Sequence, residues 1–243
     1  MWRKNLRGSA SDGRHARGGP QRPPPLGLWY ARWGKRALDL VASSAGLLAL
    51  APAIAGVALL IRFTLGSPVL FRQLRPGLGG RPFSIVKFRT MRHPKPGEVW
   101  FRSDDERLTR VGRMIRKLSL DELPSLWNVV RGDMSLVGPR PLLMDYLPKY
   151  TPEQNRRHQV RPGITGWAQV NGRQTLLFSR RLELDVWYVD NLSVRLDQRI
   201  LLQTVFQLFA PTGVVPGQNV DDIDNIGLSA DHNDRLASAP EDE

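Results

Sequence analysis

A chain of 243 residues, 41% of them hydrophobic, is long enough to bury one sizeable core. It has no cysteine, which excludes thiol catalysis, structural disulfides and Cys-type zinc sites, and its four histidines (His15, His93, His158, His232) show no pairing at metal-ligand spacing. The formal charge of +12, mostly arginine, points to anionic partners: phosphates of a small substrate, acidic lipid headgroups or nucleic acid.

Residues 1–28, rich in Gly, Pro, Ser and Arg, lack apolar periodicity and are expected to form a disordered basic leader. No small-residue cleavage site is evident, so this is not read as a secretory signal. Residues 38–61 (LDLVASSAGLLALAPAIAGVALLI) are then long enough to cross a bilayer, which takes ~20 apolar residues. Pro52 stands in the middle, where its missing N–H kinks or breaks a helix. Arg32, Lys35 and Arg36 flank one end, and Arg62, Arg72 and Arg75 the other, so the positive-inside tendency places both ends on the cytoplasmic side. A helix over about 36–62 that enters, breaks at Ala51-Pro52 and returns to the same face satisfies both observations. A kinked spanning helix and a buried core helix are the alternatives. Asp39, one turn from Lys35 and Arg36, is expected to pair with them at headgroup level.

Short β-rich runs around Gly77, Gly79 and Gly80 predict a hairpin over residues 68–91. A helix follows from Leu108, capped by Thr109, with Val111, Met114, Ile115 and Leu118 on one face, and stops near Ser119. In Ser119-Leu120-Asp121-Glu122-Leu123-Pro124 a Ser119 cap would put Pro124 at the fifth helical position. The next helix is therefore expected to begin at or near Asp121 and to run to Arg131, stopped by Gly132. Asp121 then lies at the positive end of the helix dipole, as a cap or as a poised nucleophile and metal ligand. A helical stretch at 152–158 leads into the turn Arg161-Pro162-Gly163. An amphipathic helix at 196–209 suits packing on the body or lying at a membrane surface. Residues 217–243 read as an acidic tail, leaving 29–216 as the working domain.

Three clusters bear on chemistry. Lys87-Phe88-Arg89-Thr90-Met91, with Arg107, Arg110, Arg113 and Arg116, interleaves cations with apolar residues; two or three of them are expected to converge on a diphosphate, the rest forming a solvated face. In Gly132-Asp133-Met134-Ser135-Leu136-Val137-Gly138-Pro139-Arg140-Pro141, two prolines bracket Arg140, either presenting its guanidinium to a phosphate or nucleotide or making a structural turn. The stretch 161–173 (RPGITGWAQVNGR) reads as a structured loop plus strand with no assigned job. There is no Walker loop, no Gly-x-Gly-x-x-Gly after a strand and no zincin helix.

Taken in order, these motifs resemble the bacterial sugar transferase family, the small monotopic polyprenyl-phosphate phosphoglycosyltransferases that initiate exopolysaccharide, O-antigen or glycoprotein glycan synthesis. The resemblance runs from about residue 35 to 209. It rests on Gly66-Ser67-Pro68, on KFRTM at 87–91, SLDELP at 119–124, GDMSLVGPRP at 132–141 and PGITGWAQVNGR at 162–173. It implies an α+β fold: a monotopic membrane protein with a re-entrant helix-break-helix marked by Pro52, surface amphipathic helices and a small β-sheet or hairpin. It also implies an inner (cytoplasmic) membrane location with the catalytic domain on the cytoplasmic face.

The implied reaction moves a sugar 1-phosphate from a UDP-sugar to undecaprenyl phosphate through an aspartyl phospho-sugar intermediate. Asp121 falls on the family's nucleophile position, and Glu122 on the residue that assists polyprenyl phosphate attack or helps hold the metal and water network. Mg²⁺ is the implied cofactor, with Asp121 and Glu122 as its protein ligands. Lys87, Arg116, Pro139, Arg140 and Pro141 fall on phosphate- and nucleotide-binding positions. UDP-sugar, undecaprenyl phosphate and membrane lipids are the expected partners, a homodimer is compatible, and no nucleic acid is expected. Glucose, galactose and N-acetylated sugars all fit the motifs. Two departures stand out: Ala51 replaces the Ser that members often carry before the helix-breaking proline, and no further spanning helices precede residue 29, so the chain reads as a short form.

Overall fold

The apolar run folds as two helices that meet at a sharp bend. After a π-helical turn at Tyr30–Gly34, α1 (Lys35–Ala49) and α2 (Ala51–Thr64) are bent by 61° relative to each other. Leu50 is the hinge, one residue ahead of the expected break, and Pro52 lies in the first turn of α2. There its missing N–H forfeits no intrahelical bond, so Pro52 starts the second helix rather than interrupting one long helix. Leu50 keeps its own bonds across the bend, donating to the Gly46 carbonyl at 2.9 Å and accepting from Ile54 N–H at 2.8 Å, without help from a hydroxyl at position 51. No single helix among the described residues is long and apolar enough to cross a membrane, although the bent pair together is. The structure, a computed structural model, describes residues 30–93, 107–172, 175–209 and 224–227. The expected leader (1–28) and nearly all of the expected tail lie outside the described residues.

The hairpin forms as predicted. β1 (Leu70–Pro76) pairs antiparallel with β2 (Pro82–Phe88), Leu70 opposite Phe88 and Pro76 opposite Pro82. A 3-10 turn at Leu78–Gly80 closes it, with Gly79 and Gly80 at φ 65° and 75°, where a side chain would be strained. Next, α3 (Arg110–Lys117) starts at Thr109, whose hydroxyl accepts the Gly112 N–H at 3.0 Å, as expected. Its predicted apolar face is split: Ile115 and Val111 pack with Val57, Ile61 and Phe88, whereas Met114 and Leu118 face outward.

The next helix starts later than expected. An α-helix from Asp121 would press the Pro124 ring against the Leu120 carbonyl. The chain instead makes a 3-10 turn at Leu120–Glu122, entered through Ser119 at φ 55°, and α4 (Ser125–Arg131) begins after the proline. Gly132, at φ 89°, stops it as predicted. Asp121 therefore sits on the tight turn and not at an α-helix terminus.

A second, parallel sheet pairs β3 (Ser135–Val137) with β4 (Gly163–Thr165). The crossover carries a 3-10 turn at Met144–Lys149, α5 (Pro152–Asn155) with a Thr151–Gln154 capping box, and a 3-10 turn at Arg156–Gln159. Three helices complete the fold: α6 (Trp167–Val170), α7 (Phe178–Asp190) and α8 (Val194–Phe209). α8 has two apolar sides. Leu196 and Ile200 are buried with Tyr30, Val137 and Tyr188, while Leu202, Val205 and Phe206 stay exposed.

The charges around α1 turn inward, against expectation. Lys35 is buried and pairs with Asp197 on α8 at 2.6 Å. Arg36 donates to the Val129 and Val130 carbonyls at 2.5 and 2.8 Å, at the negative end of α4. Asp39, also buried, accepts the Leu136 N–H of β3 at 3.0 Å instead of pairing at headgroup level with Lys35 or Arg36. The cause is the cost of burying main-chain and charged groups unpaired: the fold brings such groups next to α1, and its side chains satisfy them.

Candidate active site

Two buried polar side chains dock α4 on the edge of β2 that β1 leaves free. Asn128 accepts the Val86 N–H at 3.0 Å and donates to the Ser84 carbonyl at 2.8 Å, and Ser125 Oγ donates to the Val86 carbonyl at 2.8 Å. These bonds replace a strand partner for an edge that would otherwise be buried unsatisfied. They also carry the turn that precedes α4 over Lys87 of β2. Lys87 Nζ pairs with Glu122 Oε1 at 2.7 Å, and Arg140 reaches the same oxygen at 2.7 Å.

Arg140 is delivered by the parallel sheet. Gly138 N–H donates to the Thr165 carbonyl at 2.8 Å, and Gly163 N–H to the Pro139 carbonyl at 3.0 Å. The two backbones approach so closely that a Cβ on Gly163 would lie 2.1 Å from Gly138 N. The job of the 161–166 stretch, unassigned from sequence, is thus to wall the Pro139-Arg140-Pro141 turn. Pro139 is buried, while the Arg140 side chain leaves the wall half-exposed. Behind the turn, Arg157 donates to the Arg140 carbonyl at 2.6 Å and pairs with Asp185 at 2.7 Å.

The two adjacent carboxylates differ electrostatically. Burial alone would push the Glu122 carboxyl up, but Arg140 and Lys87 outweigh it and hold it down at about 2. Asp121 is pushed up, by burial first and then by Glu122, against the pull of Lys87, Arg116 and Arg140. Burial, and then Arg140, lower the Lys87 ammonium. Arg75 of β1 is brought down to about 10 by burial and by Arg140, and Arg181 of α7 is lowered by the same two causes. Lys87, Arg116 and Arg140 thus act on the two carboxylates, while Arg75 and Arg181 lie in the field of Arg140, with Asp185 as a third carboxylate beside Arg181. The excess positive charge suits an anion of two or more charges.

The structure thus gathers Asp121, Glu122, Lys87, Arg116 and the Pro139-Arg140-Pro141 turn. Arg116 anchors its Nε on Thr90 Oγ1 at 2.9 Å. Pro52 stands apart at the helix bend. Of the other cations in the same cluster, Arg89 is structural: it donates to the Leu65, Gly66 and Ser67 carbonyls at 2.5, 2.8 and 3.2 Å and holds the loop after α2. Arg107 donates to the Arg92 carbonyl at 3.3 Å, and Arg110 and Arg113 are exposed.

Arg75, expected among the headgroup cations, is half-buried on β1, where its Nη2 donates to Gln73 Oε1 at 2.6 Å and it lies in the field of Arg140. Arg157, Asp185 and Arg181 were not singled out from sequence, because they lie outside the recognisable motifs and only tertiary approach brings them here. Among the described residues no group of three His, Asp or Glu side chains is placed to hold a metal. A magnesium ion, however, is commonly held by one or two carboxylates together with substrate phosphates and water. Asp121 and Glu122, adjacent on one turn, meet that requirement.

Comparison with known proteins shows the family of this chain. Residues 30–211 match the model of the bacterial sugar transferase family. The chain is 53% identical over 180 residues to an uncharacterized sugar transferase, EpsL, of Bacillus subtilis, covering 74% of this chain and 89% of that protein. It is 46% identical over 181 residues to a UDP-glucose:undecaprenyl-phosphate glucose-1-phosphate transferase of Caulobacter vibrioides, covering 70% and 68% of the two chains. It is 40% identical over 179 residues to a UDP-N-acetylgalactosamine-undecaprenyl-phosphate N-acetylgalactosaminephosphotransferase of Aeromonas hydrophila, with 70% of this chain and 42% of that longer protein covered. The chain belongs to the bacterial sugar transferase family.

Proposed function

We propose that this protein transfers a sugar 1-phosphate from a UDP-sugar to undecaprenyl phosphate, opening the assembly of an exopolysaccharide, O-antigen or glycoprotein glycan. The observation that carries the reading is the Asp121-Glu122 turn set among Lys87, Arg116 and Arg140. A carboxylate Oδ of Asp121 attacks the sugar-bearing phosphorus of the donor. The bond from that phosphorus to the bridging oxygen breaks, and uridine monophosphate leaves with the electron pair. A phosphate oxygen of undecaprenyl phosphate then attacks the aspartyl phospho-sugar, the Asp121–phosphorus bond breaks, and the carboxylate is regenerated.

Glu122, held at about 2, is ionised at neutral pH and a poor proton acceptor. Its part is to hold Lys87 and Arg140 in place before the donor arrives, so that no reorganisation is needed during reaction. Mg²⁺, held by Asp121 and Glu122 together with diphosphate oxygens, would offset the repulsion between carboxylate and donor.

The reading includes monotopic attachment to the inner membrane from its cytoplasmic face. The bent α1–α2 pair is the re-entrant element, supported by its 61° bend and by the exposed Trp33, Leu38, Val41, Leu48, Leu59 and Phe63. The test of function is uridine monophosphate release by detergent-extracted protein supplied with undecaprenyl phosphate, Mg²⁺ and a panel of UDP-sugars. Release with one sugar, lost in Asp121→Asn, is expected. Undiminished release by Asp121→Asn would overturn the assignment of the nucleophile.

A further inference from the structure

We infer that Arg157, locked in place by Asp185, is a positioning residue for Arg140: it clamps the main chain of the Pro139-Arg140-Pro141 turn so that the guanidinium is aimed at the donor phosphates. The inference rests on the function proposed above and adds two residues to it. Arg157 Nη2 serves both the Arg140 carbonyl, at 2.6 Å, and Asp185 Oδ2, at 2.7 Å, while its Nη1 donates to the Tyr150 hydroxyl at 3.1 Å. Arg157 is 2% exposed and Asp185 3%, so neither can reach a ligand in solvent. They come from separate elements, Arg157 from the 3-10 turn after α5 and Asp185 from the middle of α7.

The mechanical logic follows from the prolines. Their rings fix φ on either side of Arg140, which leaves the tilt of the Arg140 peptide as the main freedom of the turn. That tilt sets where the long, half-exposed side chain points, and Arg157 holds the carbonyl that defines it. Stability gives a weaker account of the pair. A buried ion pair seldom outperforms apolar residues of the same volume, and this one leaves Arg157 Nε and Asp185 Oδ1 without a hydrogen-bond partner. An arrangement so incompletely satisfied contributes little net free energy, but it does fix a direction.

The test compares wild type, Arg157→Lys, Arg140→Ala, the double variant and Asp185→Asn. Lysine keeps the charge that Asp185 needs but cannot fork to the carbonyl, the carboxylate and the Tyr150 hydroxyl together. Thermal melts report folding, uridine monophosphate release gives kcat and KM, and UDP binding gives Kd without turnover. Arg157→Lys is expected to raise KM for the donor and Kd for UDP about tenfold while kcat stays within about threefold. The double variant should be no worse than Arg140→Ala, because an absent guanidinium cannot be misaimed.

Should Arg157→Lys fail to fold, Asp185→Asn decides by the same shifts. Wild-type KM and Kd in the folded variant, or losses that multiply in the double variant, would overturn the inference. A wild type that binds UDP but turns over no sugar counts against the proposed function alone, and the Kd comparison still decides the positioning role. A wild type that does not bind UDP overturns both.

Discussion

Arg140 meets Glu122 at 2.7 Å on the one carboxylate oxygen that Lys87 also reaches at 2.7 Å. That oxygen ties together a strand, a tight turn and a proline-braced loop that are far apart in the chain. It also separates the dyad: Glu122 is locked in its charged form, while Asp121 beside it is pushed toward protonation.

The first consequence concerns pH. The proposed mechanism requires ionised Asp121, whose carboxyl lies above the ordinary value of 3.8 because of burial and then Glu122. The acid limb of kcat/KM for the free enzyme should therefore fall above that value. Glu122→Gln removes the like charge and releases Lys87 and Arg140 to act on Asp121. The residual activity should be low, with its acid limb moved to lower pH. A limb that stays in place would sink the coupling between the two carboxylates.

Stability should carry the signature of the same triad. The Glu122 carboxyl goes from an unfolded value of 4.5 to about 2 in the fold. A depressed carboxyl contributes its stabilisation fully above the unfolded value and loses it as pH falls through the folded one. The contribution is therefore complete at neutral pH and fades between 4.5 and about 2. Glu122→Gln should cost roughly 2–3 kcal/mol at neutral pH, shrinking below 4.5, as read from paired melting curves. A gap that stays constant into acid would exclude the charge as its source.

Backbone contact in the parallel sheet gives a steric prediction. Gly163→Ala places a methyl 2.1 Å from Gly138 N and 2.3 Å from the Thr165 carbonyl, with no flexible side chain to yield. It should destabilise by ~3 kcal/mol and abolish donor binding together with it, since β4 walls the Arg140 turn. Gly79→Ala, at the exposed hairpin turn with no atom within 4 Å of the added methyl, bears only the cost of its φ of +65°. It should leave donor binding intact. Equal melts for the two variants would contradict the close-contact account.

Membrane topology can be read by labelling, because the chain has no cysteine to interfere. Trp33→Cys and Phe63→Cys lie at opposite ends of the bent pair and are 68% and 84% exposed. In a re-entrant arrangement neither should react with a membrane-impermeant maleimide on intact spheroplasts, and both should react after lysis. Reaction of just one in intact cells would mean that the pair crosses the bilayer.

Part of this molecule is written locally. Thr109 starts a helix, Gly132 stops one, and Gly79 and Gly80 turn the hairpin, because capping and positive φ are settled within a few residues. Pro52 likewise dictates a break in the apolar run whatever surrounds it. The motif residues Asp121, Glu122, Lys87, Arg116 and Arg140 were legible through the resemblance of their motifs to those of the bacterial sugar transferase family. Other features are decided by what arrives from elsewhere. Asp39, Lys35 and Arg36 were legible as charges near a headgroup region, but their partners are a β3 amide, Asp197 and the end of α4. Arg75 was legible only as a charge flanking the apolar run, and Arg157 had no local signal; the first lies in the field of Arg140, and the second meets the Arg140 carbonyl at 2.6 Å. The physical reason is the same throughout. Short-range sterics and hydrogen bonds act within one turn of the chain, whereas a buried charge or main-chain group takes whatever partner the packing of distant segments puts within about 3 Å.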